Sequence, residues 1–180
     1  MTDSNVILNA QLGSEQALEE LISFWYRPIL TFCYRRTLNQ MTAEDITQNV
    51  FLKMTKSLAL YHDKGQFKSW LFSIAVNACN DYYRKNHNFE LVSEEEIEFA
   101  KISATEIYEQ IELKGIIDEA LRKLPVQQRE VVVLHYLDGF SLKEISKLIS
   151  CPQNTIKSRL YRALVSMREM IGKDVFVNES

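Results

Sequence analysis

Between Ser141 and Ile171 the chain reads as a short capped helix, a sharp break and a long two-faced helix, and few folds accommodate that order. Ser141 with Glu144 is a capping box, in which each side chain can bond the other residue's backbone N–H. Ser150-Cys151-Pro152 interrupts the helix, because proline has no N–H and disfavours helical backbone just before it. Ile156, Leu160, Leu164, Met167 and Ile171 then recur at helical spacing and predict one apolar face. Lys157, Ser158, Arg159, Tyr161, Arg162 and Arg168 fill the other sides, and no acidic residue lies from Pro152 to Arg168. A helix-turn-helix buries the first face and leaves the second free. Such a basic helix suits a major groove, where Lys and Arg read guanine edges and hydroxyls hold phosphate. The alternative is a solvated basic face on an ordinary bundle; the capped helix, break and basic helix together are more specific than a charge run.

The rest of the chain also reads as helical. Only 5 Gly and 3 Pro punctuate 180 residues, which argues against a sandwich or barrel, and 46% hydrophobic content is enough for packed cores. Ser14 can cap a helix with the stripe Leu18, Leu21, Ile22, Trp25 and Ile29, which Pro28 is expected to kink or split. Thr42 with Asp45 resembles a capping-box start for a helix repeating Ile46, Val50, Met54 and Leu58, with Phe51 alongside. After a turn at Asp63-Lys64-Gly65, a helix from about Phe67 to Lys85 carries the core stripe Leu71, Ile74, Ala75, Ala78, Cys79 and Tyr82. Periodicity returns at Ile107, is stopped by Pro125, and resumes from Gln127 to Leu137, where Asp138-Gly139 ends it.

Charge divides the chain more sharply than its net value of −3. Residues 1–87 are nearly neutral, 88–114 carry eight acidic against two basic groups, and 115–180 carry ten basic against eight acidic. The fold expected is therefore all-α: two small helical domains, 1–87 and 109–180, joined by an acidic linker over 88–108, the second domain a helix-turn-helix.

Several function classes are disfavoured. Cys33, Cys79 and Cys151 form no Cys-x-x-Cys pair, and fit the buried thiols of a cytoplasmic protein better than a disulfide framework or zinc site. No apolar run exceeds four residues, so neither a signal peptide nor membrane insertion is expected. His62, His87 and His135 lack metal-ligand spacing, and there is no Gly-rich phosphate loop or nucleophile elbow. No enzyme activity and no cofactor are expected.

Two further helix faces carry recognisable chemistry. On the helix after Gln66, Trp70, Asn77, Asn80, Asp81, Arg84 and Lys85, preceded by Lys68, set an aromatic among amides and cations. That mixture suits unpaired bases, which need stacking and edge hydrogen bonds together, although Trp70 fits a core position equally well. On the helix after Thr42, Asp45, Gln48, Asn49, Lys53 and Lys56 make a polar face that by itself implies no chemistry.

Taken together these residues resemble the extracytoplasmic-function (ECF) sigma factors, the small promoter-recognition subunits of bacterial RNA polymerase. The stretch from Ala43 to Leu52 and that from Gly65 to Ala75 are similar to the family's first domain. Leu124-Pro125, Gln128-Arg129-Glu130, Tyr136-Leu137-Asp138-Gly139 and Thr155 to Leu160 are similar to its second. The resemblance covers roughly residues 14–171 and implies core RNA polymerase and promoter DNA as partners. It assigns polymerase binding to Asp45, Gln48 and Asn49, with Phe51 packed inside, and reading and opening of the minus-ten element to the Trp70–Lys85 helix. Asn154, Thr155, Lys157, Ser158, Arg159, Tyr161 and Arg162 would read the minus-thirty-five element. The family commonly has an anti-sigma factor, often membrane-anchored, which no residue here marks. The linker, which in this family threads near the polymerase cleft, would mimic nucleic-acid charge or serve as a solvated spacer.

Two positions depart from the family pattern. Asn49 stands where an acidic residue is common, so that polymerase contact is expected to differ. Asn154 replaces the usual glycine before Thr155, and asparagine's tolerance of left-handed backbone is expected to preserve the turn. The alternatives are a free-standing helix-turn-helix regulator and a helical adaptor for an acidic protein. A solitary regulator has no use for the Asp45 and Trp70 helices. One small basic helix supplies limited affinity alone, whereas two readers carried on polymerase act at high effective concentration.

Overall fold

The structure, a computed structural model, describes residues 4–62, 64–85 and 108–177, with side chains in the last run described for 115–171. It is all-α among the described residues. The expected acidic linker lies outside them, apart from Tyr108, which opens a helix.

Four helices form the first domain: α1 (Ser4–Gln11), α2 (Glu15–Thr37), α3 (Gln40–Ser57) and α4 (Phe67–Lys85), with a single 3-10 turn at Leu58–Leu60. Ser14 caps α2 as expected, accepting from the Ala17 N–H. Pro28 does not split it. Although Pro28 has no N–H to offer the Phe24 carbonyl, α2 runs unbroken to Thr37, its buried stripe Leu21, Trp25, Ile29 and Phe32 held by packing. The expected start of α3 is also corrected: Asn39, not Thr42, is the cap, and its side chain accepts from the Thr42 N–H at 2.9 Å. The predicted stripe Ile46, Val50, Phe51, Met54 and Leu58 is buried. α4 has the predicted bounds, and it buries Phe72 and Val76 in addition to the predicted Leu71, Ala75, Ala78 and Cys79. α1 was not foreseen. It buries Ile7, and the Gln11 amide donates to the carbonyls of Leu58 and Tyr61, tying it to the end of α3.

The second domain contains α5 (Tyr108–Lys123), α6 (Val126–Val132), a π-helical turn (Val133–Leu137) that continues α6, α7 (Leu142–Leu148) and α8 (Gln153–Val177). Leu121, Leu124, Val131, Leu134, Ile145, Ile156 and Ala163 are buried in its core. Gly139 takes φ +72° where the π turn ends, a conformation open to glycine without steric cost.

The two domains share one continuous apolar core. Phe72 of α4 meets Phe140 of the loop before α7 edge-on, with ring centroids 5.1 Å apart. Burying a ring of that size contributes roughly 1.5–3 kcal/mol, so this contact matters to how the domains sit.

Candidate nucleic-acid interface

The helix-turn-helix forms as its residues require. Ser141 and Glu144 complete the capping box: the Ser141 Oγ accepts from the Glu144 N–H, and the Glu144 carboxylate accepts from the Ser141 N–H at 2.8 Å and from its hydroxyl. These bonds hold the Glu144 carboxyl below the usual range. In the break, Ser150 takes the left-handed conformation (φ +50°) and the Ser146 hydroxyl donates to the Cys151 carbonyl. The expected turn role of Asn154 is thereby corrected, since Asn154 lies inside α8 with helical backbone.

Ile156, Leu160, Ala163 and Met167 form the inner face of α8, and Ile171 is partly buried. Leu164, expected there, is exposed. Counting seven residues from Ile156 lands on Ala163, whose small side chain lets the helices approach, and Leu164 turns a further 100° away. Asn154, Thr155, Lys157, Ser158, Tyr161 and Arg162 are exposed and Arg159 is half-buried. Asn154, Thr155, Ser158, Arg159 and Arg162 line an open groove of about 610 Å³ together with Gln127 and Gln128 of α6. Lys157 and Tyr161 lie off it. The two glutamines were missed, although an amide pair just past a helix-starting proline is a readable signal.

The α4 residues divide. Asn77, Arg84 and Lys85 are exposed. Asp81 accepts from Arg84 and from Lys53 of α3, and these two cations hold its carboxyl below the usual range and offset its charge. Trp70 is half-buried, its ring 4.6 Å from Tyr61 and 5.4 Å from Phe67, so that it packs on both rings and keeps part of its surface in solvent. The Asn80 carbonyl oxygen accepts from Arg36 of α2 at 2.6 Å. Lys68 turns toward the second domain, donating to the Asp138 carbonyl and lying 4.6 Å over the Phe140 ring.

On α3, Asp45, Gln48 and Asn49 are exposed on one side, flanked along the same stripe by exposed Met41 and Leu52. Phe51 is buried and stacks on Tyr26 with centroids 5.9 Å apart.

Residues 13–89 match the family Sigma-70 region 2, and residues 114–167 match Sigma-70, region 4. The RNA polymerase sigma factor SigV of Bacillus subtilis is 32% identical, over 81% of this chain and 84% of its own. This chain belongs to the ECF sigma factors. The ECF sigma factor SigW of the same organism is 28% identical, over 92% of this chain and 94% of its own. Among solved structures, the sigma factor RpoE of Bartonella quintana, captured with the anti-sigma factor NepR, superposes with a TM-score of 0.70 at 23% identity, covering 86% of this chain and 96% of that one. CnrH, solved with the cytosolic domain of CnrY, gives 0.69 at 21%, covering 97% and 99%. These two likenesses bear on the fold. As a sigma factor, the chain binds core RNA polymerase and directs promoter-specific initiation, within a family of specificity factors rather than enzymes.

The sigma fold also buries charges that the sequence reading passed over. Arg36 of α2 donates to the Glu130 carboxylate of α6. Arg129 donates to the carbonyls of Leu124, Arg122 and Arg35, the last in α2. Both arginines occupy stripe positions, Arg36 four residues after Phe32 and Arg129 four before Val133, so charges on apolar stripes were the available clue. Cys33 and Cys79 are buried free thiols and Cys151 is partly buried. No cluster of three or more His, Cys, Asp or Glu suited to a metal occurs among the described residues, and no helix among them is long and apolar enough to cross a membrane.

Proposed function

We propose that this sigma factor divides its work among three helix faces within two domains, 1–87 and 109–180, on either side of the 88–108 linker. Asp45, Gln48 and Asn49 on α3 dock the chain on core polymerase. The α4 face, with Lys68, Trp70, Asn77, Asn80, Asp81, Arg84 and Lys85, reads and opens the minus-ten element. The first turns of α8 read the minus-thirty-five element as duplex, with Arg159 and its neighbours at the base edges. One observation carries this reading: the exposed polar face of α3 stands on the same chain as an α8 groove lined by amides, hydroxyls and two arginines. A solitary operator-binding regulator has no need of the former. Promoters of a stress or envelope response, a cytoplasmic location, an anti-sigma partner and the absence of catalytic activity complete the proposal, all drawn from the family.

Reconstitution with core polymerase and promoter DNA tests it. The expected result is weak DNA binding alone and promoter opening only in the holoenzyme. Tight, sequence-specific duplex binding without polymerase, with no opening in its presence, would favour the regulator.

A further inference from the structure

Inside the first domain, α2, α3 and α4 meet at a pair of thiols. Phe32 of α2 packs edge-on against Phe72 of α4, with ring centroids 5.4 Å apart. Further along the same two helices, Arg36 donates to the Asn80 side chain at 2.6 Å, and the Tyr83 hydroxyl donates to the Arg36 carbonyl at 2.6 Å. Cys33 lies between these contacts on α2 and Cys79 between them on α4, each 0% exposed. The two thiols hydrogen-bond each other, and buried Thr47 of α3 stands against Cys33. Thr47 directly precedes Gln48 and Asn49 of the docking face, and Cys79 directly precedes Asn80 of the DNA face. A change at the thiols is therefore one residue from both faces.

The pair is chemically asymmetric. Cys33 donates to Cys79, and that bond together with burial pushes the Cys33 thiol up. The bond from Cys33 holds the Cys79 thiol down, aided by the Arg36 charge and opposed by burial. Cys79 is thus the better nucleophile, since the thiolate is the attacking form. Both are free thiols, so the resting state is a dithiol. Thiols already in contact join without large backbone movement, yet a covalent S–S bond is shorter than any contact between separate thiols. Joining them draws α2 and α4 together at this point.

We propose that Cys33 and Cys79 form an oxidisable dithiol, a site for small peroxides whose product, a Cys33–Cys79 disulfide, shifts α4 against α2 and α3 and lowers promoter opening. With hydrogen peroxide, the Cys79 sulfur attacks one oxygen, the O–O bond breaks, and the other oxygen leaves with the thiol proton as water. The Cys33 sulfur then attacks the Cys79 sulfenic acid, the S–S bond forms, and a second water leaves with the Cys33 proton. The two thiols lose two electrons and the peroxide gains them. Burial restricts the site to oxidants near the size of water, which enter on brief local opening. The effect on opening rests on the reading of α3 and α4 as docking and DNA faces; the disulfide itself does not.

Mass spectrometry of the full chain tests the site, after treatment with hydrogen peroxide, denaturation in iodoacetamide and digestion. The expected product joins the Cys33 and Cys79 peptides, and dithiothreitol separates them again. Holoenzyme made with the oxidised chain should open a duplex promoter about tenfold more slowly than holoenzyme made with the reduced chain. Cys79→Ala and Cys33→Ala, checked for folding by circular dichroism, should open it at a rate indifferent to peroxide. Oxidation confined to Cys151, or halted at a Cys79 sulfinic acid with no joined peptides, overturns the site. Complete joining with no change in opening overturns its regulatory role, as does equal slowing by peroxide in the two alanine variants. Asn77→Ala and Arg84→Ala in the reduced chain address the underlying reading. Full initiation by both overturns α4 as the DNA face and leaves the joined peptides standing.

Discussion

Arg36 and Glu130 stand 94 residues apart in the chain and meet as a buried ion pair joining α2 to α6. Burial lowers the affinity of Arg36 for its proton, the signature of a charge removed from water. Exchanging both partners for apolar residues, Arg36→Met with Glu130→Leu, is expected to leave stability unchanged or raise it by about 1–4 kcal/mol. Glu130→Leu alone should lower it. Urea unfolding of the three proteins checks this, and a double variant less stable than the single one contradicts it.

Arg159 lies on the α8 groove beside Gln128, Ser158 and Arg162. If it grips a guanine with both nitrogens, Arg159→Ala relaxes selection at one upstream base pair and costs about 1–3 kcal/mol there. Holoenzyme binding to a library of upstream elements reads the effect. A uniform loss across all sequences makes Arg159 a phosphate contact.

Trp70 packs on Tyr61 and Phe67 yet keeps part of its ring in solvent. Trp70→Ala should therefore cost about 1–3 kcal/mol of folding stability and, separately, slow initiation on duplex promoters more than on pre-melted ones. Equal slowing on both templates assigns the ring to the core.

Asp138 faces Arg35 and Lys68 across the domain boundary, and burial outweighs both cations, pushing its carboxyl up to about 6. A carboxyl raised in the native state binds its proton more tightly there than in the unfolded chain. Its destabilising effect is therefore full above pH 6 and fades as the pH falls through about 6 toward 4. Asp138→Asn, which imitates the protonated form, should raise the unfolding free energy at pH 7.5 by no more than about 3 kcal/mol, read by urea unfolding, and should change it far less at pH 4.5. An equal change at both values would show that the charge is not responsible.

The Ser141 hydroxyl closes the N-terminus of α7, so Ser141→Ala should destabilise the second domain by about 1 kcal/mol, read by urea unfolding. Ser141→Asp, which can also cap, should retain most of that stability. If it does not, the hydroxyl's importance lies outside capping.

Legibility followed distance along the chain. The Ser14 cap, the Ser141–Glu144 box, the bounds of α4 and the break before α8 each depend on residues within a turn or two, and all were readable. The α3 start failed because Asn39 and Thr42 are both plausible caps three residues apart, and only the bond between them decides. Pro28 was read as a local breaker, whereas packing of the whole α2 stripe keeps that helix continuous. Leu164 was placed inside because it lies four residues after Leu160, but the inner face passes through Ala163 and leaves Leu164 exposed.

The candidate faces were legible as residue types, because helical spacing alone places Asp45 with Gln48 and Arg159 with Arg162. Their present engagement was not. Phe72 is buried on a side of α4 that the stripe left open, since its ring packs on Trp25 and Phe32 of α2 and on Phe140 of the second domain. By itself the sequence determined the helices from α2 onward apart from the start of α3, the helix-turn-helix and the family, through short-range propensity and motif. Only the tertiary structure decided that Lys68 and Arg36 answer to Asp138 and Glu130, because pairing across 70 to 94 residues depends on which surfaces remain to be buried once each domain has formed.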